Sequence, residues 1–139
     1  MPTAGKLYLY TAKYDPVEML EKLADYNEEI TDIYVFEEIS LGKRILGAEL
    51  IDNKLMGTYE MDSVEIREYR GRDRVIPYTQ SAKFVFYLVE EEPYLVVLGN
   101  KRLADTVANE ISVLLHDQIG FIIEPILNLR GARARATEG

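Results

Sequence analysis

Residues 100–118 read NKRLADTVANEISVLLHDQ. Within them Leu103, Ala104, Val107, Ala108, Ile111, Leu114 and Leu115 recur at the spacing of one helical face. Unbroken by Gly or Pro, the pattern predicts a helix, and a helix with one apolar stripe needs an apolar surface to lie on. Asn100 is a favoured N-cap, because its side-chain oxygen can accept from an orphan backbone N–H, and Gly120 is the expected left-handed terminator. The segments on either side decide what the stripe covers.

Upstream, Asp15-Pro16-Val17-Glu18 opens a second helix. Asp15 caps it, Pro16 takes the first helical position where a missing N–H costs nothing, and Glu18 completes a capping box. Leu20, Leu23, Ala24 and Ile30 are its expected core face, and Glu21, Asp25, Glu28 and Glu29 its acidic outer face. The remaining chain reads as strand. Lys6 to Ala12 is one strand and Ile33 to Ile39 another. Ile45 to Ile51 and Lys54 to Met61 flank Asp52-Asn53, a dipeptide suited to the positive φ angles of a two-residue hairpin turn. Val64 to Tyr69 and Arg74 to Gln80 flank a turn containing Gly71, and Pro77 directs this ribbon to a sheet edge because proline cannot donate to a ladder. Lys83 to Val89 and Tyr94 to Leu98 flank a charged tip, Glu90-Glu91-Glu92-Pro93. A last apolar run, Phe121 to Leu127, is expected to return beside the sheet.

The resulting order is strand, helix, a meander of about seven strands, helix, strand, and the short connections favour antiparallel neighbours. The expected fold class is α+β: a curved antiparallel sheet of about seven to nine strands packed against two α-helices, its other face left to meet solvent, a partner or a ligand. In order alone this resembles the TATA-binding-protein-like and helix-grip architectures, and such an order does not carry a function. Residues 1–129 are expected to form one domain. From Arg130 the chain turns small and polar, with Arg133 and Arg135, and reads as a basic flexible tail or linker over 130–139.

The chain has 139 residues, with 16 Lys and Arg against 24 Asp and Glu and a net charge of −8. That length buries a core without a disulfide or a metal. The absence of Cys and the single His, His116, exclude a disulfide scaffold and a zinc knuckle, and leave a Ser/His catalytic set without a spare His. His116 reads as a surface histidine at the outer edge of its helix. No glycine-rich phosphate loop, dinucleotide fingerprint, zinc-protease pair or nucleophile elbow occurs. Asp32 with Asp52-Asn53-Lys54 has the composition of a metal-dependent nuclease site, yet a tight turn explains Asp52-Asn53 completely. The nine acidic residues from Asp15 to Glu38 lack the alternating spacing that wraps oxygens around Ca²⁺, and read as a solvated helix face and its flanking loop. No catalysis, cofactor or metal is therefore expected. No stretch approaches the roughly 20 apolar residues of a membrane span, and a soluble, cytoplasmic protein is expected.

Although the chain is acidic, its basic residues cluster. Arg67, Arg70, Arg72 and Arg74 lie in and around the turn containing Gly71, while Lys43 and Arg44 lie in what reads as another loop. A guanidinium fork makes two hydrogen bonds to one phosphate, and a two-stranded ribbon can enter a nucleic-acid groove. Glu65, Glu68 and Asp73 interleave these arginines, so cross-strand ion pairs are the competing account. Lys101 and Arg102 stand in the first turn of the long helix, where cations oppose the helix dipole. Either they attract an anion together with the helix N-terminus, or Asp105 neutralises Lys101 one turn on, which is the preferred account. Ten tyrosines accompany no tryptophan. Tyr8, Tyr10, Tyr34, Tyr69, Tyr78 and Tyr87 fall in expected strands and would form a stacking platform if they shared the open sheet face.

The leading reading is a non-catalytic nucleic-acid recognition domain, the N-terminal specificity module of a larger protein. Arg67, Arg70, Arg72, Arg74, Lys43, Arg44, Lys101 and Arg102 would meet phosphates, and Tyr69 and Tyr78 bases. One alternative is a helix-grip pocket for an apolar or aromatic small molecule. The other is a module for protein interaction or homo-oligomerisation, as a homodimer or with a fused or partner protein.

Overall fold

In the computed structural model, which describes residues 4–125, the long helix lies across one face of a single antiparallel sheet. The elements are β1 (Gly5–Tyr10), α1 (Pro16–Leu23), β2 (Asn27–Tyr34), β3 (Glu37–Ile51), β4 (Lys54–Tyr69), β5 (Arg72–Val89), β6 (Glu92–Leu98), α2 (Lys101–His116) and β7 (Ile122–Ile123). The sheet has seven strands in the order β2-β3-β4-β5-β6-β1-β7. This is the expected α+β class. The strand count is at the low end because the meander has fewer, longer strands: β4 runs for 16 residues and β5 for 18, with no turn residue interrupting either. Among the described residues no helix is long and apolar enough to cross a membrane.

Alternation decides which side chains α2 covers. Leu50, Leu55, Phe86, Leu95 and Tyr8 stand opposite one another across β3, β4, β5, β6 and β1. Ala104, Val107, Ala108, Ile111 and Leu115 of α2 close over them, with Met19 and Leu23 of α1 beside. Burying each of the larger chains stabilises the fold by about 1.5–3 kcal/mol. Phe84 and Phe86 meet edge to face, 6.3 Å between centroids. The caps form as read: Asp15 accepts from the Glu18 amide at 3.2 Å and Asn100 from the Leu103 amide at 2.9 Å. The left-handed residue ending α2 is Asp117 (φ 60), not Gly120. Buried Ser112 then ties down the returning chain, donating to the Gln118 carbonyl and accepting from the Phe121 amide.

Two sequence expectations fail at one place. The second helix stops at Leu23, so Glu28, Glu29 and Ile30 belong to strand β2 and not to a helix. The expected strand Ile33 to Ile39 is broken by a two-residue turn at Val35 (φ 48) and Phe36 (φ 67). A β-branched and an aromatic residue disfavour left-handed backbone, so nothing in this alternating stretch signals a turn. Asp52-Asn53, Arg70-Gly71 and Glu90-Glu91 form the other hairpin turns, all with positive φ, and Glu92-Pro93 already opens β6. Within β3, Leu46 pairs with Thr58 but Glu49 with Met56, so one extra residue bulges there. Gly47 takes the left-handed position of that bulge (φ 61). Opposite it, a Cβ on Gly57 would stand 3.0 Å from the Phe84 ring.

Strand lengths create the feature that matters most outside the core. β3 pairs with β4 only from Ile51↔Lys54 to Lys43↔Met61. β5 pairs with β6 only from Val89↔Glu92 to Lys83↔Leu98. Beyond that line, residues 27–42 and 62–82 leave the same end of the sheet as two separate two-stranded arms. Pro77 lies in the second arm, opposite Val64, where β5 has β4 as its neighbour and no β6. The edge expected for it is thereby accounted for.

Candidate nucleic-acid interface

The β4–β5 arm sorts its charges by face. Ser63↔Tyr78, Arg67↔Arg74 and Tyr69↔Arg72 are facing pairs, and their parity continues that of Tyr59 and Ala82, which point toward α2. Val64↔Pro77, Ile66↔Val75 and Glu68↔Asp73 have the opposite parity. Glu68 and Asp73 are thus separated in space from the arginines they interleave in sequence, because neighbours along a strand point to opposite faces, whereas Glu65, opposite Ile76, stays on the arginine face. Cross-strand ion pairs do not form. Arg67 alone has an acidic partner, Glu65 two residues back on its own strand, at 2.9 Å. Arg70 and Arg74 stack over the Tyr69 ring, with guanidinium carbons 5.3 and 5.4 Å from its centroid. At the root of this face a cleft of about 470 Å³ is lined by Ser63, Tyr78 and Gln80 of the arm and by Asn100, Arg102 and Thr106 of α2. Arg102 therefore joins the arm's cationic face.

Lys43 and Arg44 do not join it. Lys43 and Arg44 are strand residues of β3, not loop residues. Lys43 donates to Glu110 of α2 at 3.0 Å, and Arg44 to Glu60 at 2.8 Å and Asp62 at 3.2 Å. Asp62 sits at the fork where the arms separate, also accepting from the Gly42 amide at 2.9 Å and the Thr79 hydroxyl at 2.7 Å. The Arg44 guanidinium, then Thr79 and Gly42, hold its carboxyl down at about 2. Nothing in the sequence marks Asp62, since its partners come from two other strands, β3 and β5. Asp105 serves Lys6 and the Tyr8 hydroxyl, the latter at 2.6 Å, and those two bonds lower its pKa. Lys101 lies beyond ion-pair distance of Asp105, yet its charge also lowers that pKa, so the expected neutralisation acts only at longer range.

The tyrosines do not form one platform. Tyr8 and Tyr10 are buried under α2, Tyr87 stacks on Tyr94 on the open face, and Tyr34 borders the cleft between the arms. Tyr69 and Tyr78, the two assigned to bases, do share the arginine face of one arm. His116 is not a surface histidine: it lies half-buried between Tyr10, whose hydroxyl is 2.6 Å from Nε2, and Phe121. Burial lowers its pKa, and Lys22 adds to this. Asp32 and Asp52 lie at opposite ends of β3, about 40 Å apart along the strand. Among the described residues no group of three or more His, Asp or Glu could hold a metal ion. The space between α2 and the sheet, where a helix-grip ligand would lie, is filled by Tyr59, Phe84, Phe86, Leu95 and Val97, all 0% exposed. Arg130, Arg133 and Arg135 lie outside the described residues. Comparison with protein-family models, with curated proteins and with solved structures finds no match.

Proposed function

We propose that the chain is a non-catalytic nucleic-acid recognition domain that turns the arginine face of the β4–β5 arm toward the phosphate backbone. The observation that carries this reading is the sorting of that arm: Arg67, Arg72 and Arg74 share a face with Tyr69 and Tyr78, Glu68 and Asp73 take the other, and the one acid on the arginine face, Glu65, is taken up by Arg67. Arg70, Arg72 and Arg74 meet no carboxylate within ion-pair distance among the described residues. Their forks are free for phosphate, and the exposed Tyr78 ring offers a base a stacking surface worth about 1–3 kcal/mol, while Tyr69 holds Arg70 and Arg74 in place by stacking. The acidic remainder of the molecule repels a polyanion and so restricts contact to this arm and its root at Arg102.

The test is fluorescence anisotropy of labelled single- and double-stranded DNA and RNA, with wild type and with Arg70→Glu/Arg72→Glu. With Arg70, Arg72, Arg74 and Arg102 on phosphates, affinity should fall about a hundredfold between about 50 and about 200 mM salt. Binding should be lost in the double variant. Binding insensitive to salt, or none to any of the four nucleic acids, overturns the proposal.

A further inference from the structure

The two arms differ in charge: segment 62–82 balances four arginines against Asp62, Glu65, Glu68 and Asp73, but Asp62 and Glu65 are taken up by Arg44 and Arg67 and the arginines at its tip are gathered on one face. Segment 27–42 carries Glu28, Glu29, Asp32, Glu37 and Glu38 and no Lys or Arg. Among the described residues none of these five carboxylates meets a cation within ion-pair distance, and neither do Arg70, Arg72 and Arg74 meet an anion on the other arm. Both arms also leave large apolar side chains in water, Ile33 (69% exposed) and Phe36 (99%) on one, Ile66 (52%) and Ile76 (41%) on the other. Free charge of opposite sign beside exposed apolar surface, on two projections of one chain, makes those projections complementary to each other. Within one molecule they diverge beyond Lys43 and Met61, and no ion pair joins them.

We propose that a second copy of the chain supplies the missing partner: its acidic arm lies along the arginine face of the first molecule, and its arginine face receives the first molecule's acidic arm. Both arms leave one end of the sheet, so a two-fold axis beyond that end makes both contacts at once and closes the assembly at two copies. A single contact per pair would leave an arm open on each copy and grow into chains. The edge of the acidic arm fits this role. β2 is the outermost strand of the sheet, and residues 27–34 contain neither Lys nor Pro, the common guards of a free edge. Carboxylates are the charges guarding it, and an arriving arginine face neutralises them. The pair covers the arginine face, so nucleic acid must displace the acidic arm to reach it. That last consequence rests on the function proposed above; the pairing does not.

The experiment is sedimentation equilibrium of the full chain in low and in high salt, with two variants, Arg72→Glu/Arg74→Glu and Asp32→Lys/Glu37→Lys, alone and mixed. All four positions are exposed, so the substitutions leave the core untouched. Wild type should have twice the monomer mass in low salt and dissociate in high salt. Each variant alone sets like charges together at both contacts and should weaken the pair about a hundredfold or more. In an equal mixture, one contact of each mixed pair is native and the other fully reversed, so the doubled mass should return. A monomeric wild type in low salt overturns the proposal. So does a doubled mass that survives in both variants, which assigns self-association to another surface such as the open sheet face, or a mixture that stays monomeric. Adding nucleic acid separates the two proposals: if the mixture restores pairing but nucleic acid leaves the wild-type pair intact, the pairing stands and the nucleic-acid reading fails.

Discussion

Strand β5 passes through two environments without a break. From Lys83 to Phe86 it lies between β4 and β6 beneath α2, and Phe84 and Phe86 are completely buried; from Arg72 to Ala82 it has β4 alone, and Ile76 and Tyr78 are more than 40% exposed. In the body, packing holds the strand. In the arm only the backbone ladder, a tight turn and cross-strand pairs do so, and a free two-stranded hairpin is marginal in water. The arm persists because it is a continuation of strands already held in the body. One chain thus carries a region that tolerates little change in volume and a region that tolerates much change in chemistry.

The sharpest contrast comes from truncation in the body. Phe86→Ala should cost about 3–5 kcal/mol in urea unfolding, because Tyr10 and Phe84 pack against the ring and cannot close the hole. Next comes the fork. Asp62→Asn should cost about 1.5–3 kcal/mol at neutral pH, since Arg44 loses a charged acceptor. Its folded pKa, about 2, lies below the unfolded value of 3.8. The stabilisation is therefore present above the unfolded pKa and is lost as pH falls toward 2. The gap between wild type and variant should stay constant from neutral pH to about 4 and narrow below it; a constant gap down to pH 2 would remove Asp62 from the fork. The smallest effect belongs to the tip of the acidic arm. Replacing Val35-Phe36 by Asn-Gly should stabilise that hairpin by about 1 kcal/mol, because these residues accept left-handed backbone readily. Amide exchange should slow within 27–42 and stay unchanged in β6, and slowing in both would mean that arm and body open as one unit.

What was legible in the sequence follows the same division. α2 could be read because its stripe and its Asn100 cap are local, and the turns at Asp52-Asn53 and Gly71 because those residues favour the left-handed backbone they adopt, whereas the positive φ of Arg70 is imposed by its neighbour. The grouping of Arg67, Arg72 and Arg74 with Tyr69 and Tyr78 needed only the period of a strand, once the register about Gly71 was known. The hairpin at Val35-Phe36 was hidden because its residues oppose its geometry, and with it went the end of α1 and the existence of an acidic arm. The partners of Arg44, Lys43 and Asp105 were hidden for another reason. Each pairing joins residues distant in sequence, and neither composition nor periodicity carries that information. His116 appeared to be on the surface until Phe121 folded back against it.

The bulge at Gly47 has a consequence for how such a molecule can change. On its arm side, odd-numbered residues such as Lys43 and Ile45 face α2; on its other side, Ala48 and Leu50 take over that task. β3 is therefore two ladders joined out of phase, with one glycine as the phase shifter. A single-codon deletion at that joint would remove the surplus residue and pair the two halves continuously, with Ile45, Ala48 and Leu50 still toward α2. The joint is thus a buffer: it absorbs the gain or loss of one residue in β3 while the acidic arm keeps its faces toward body and solvent.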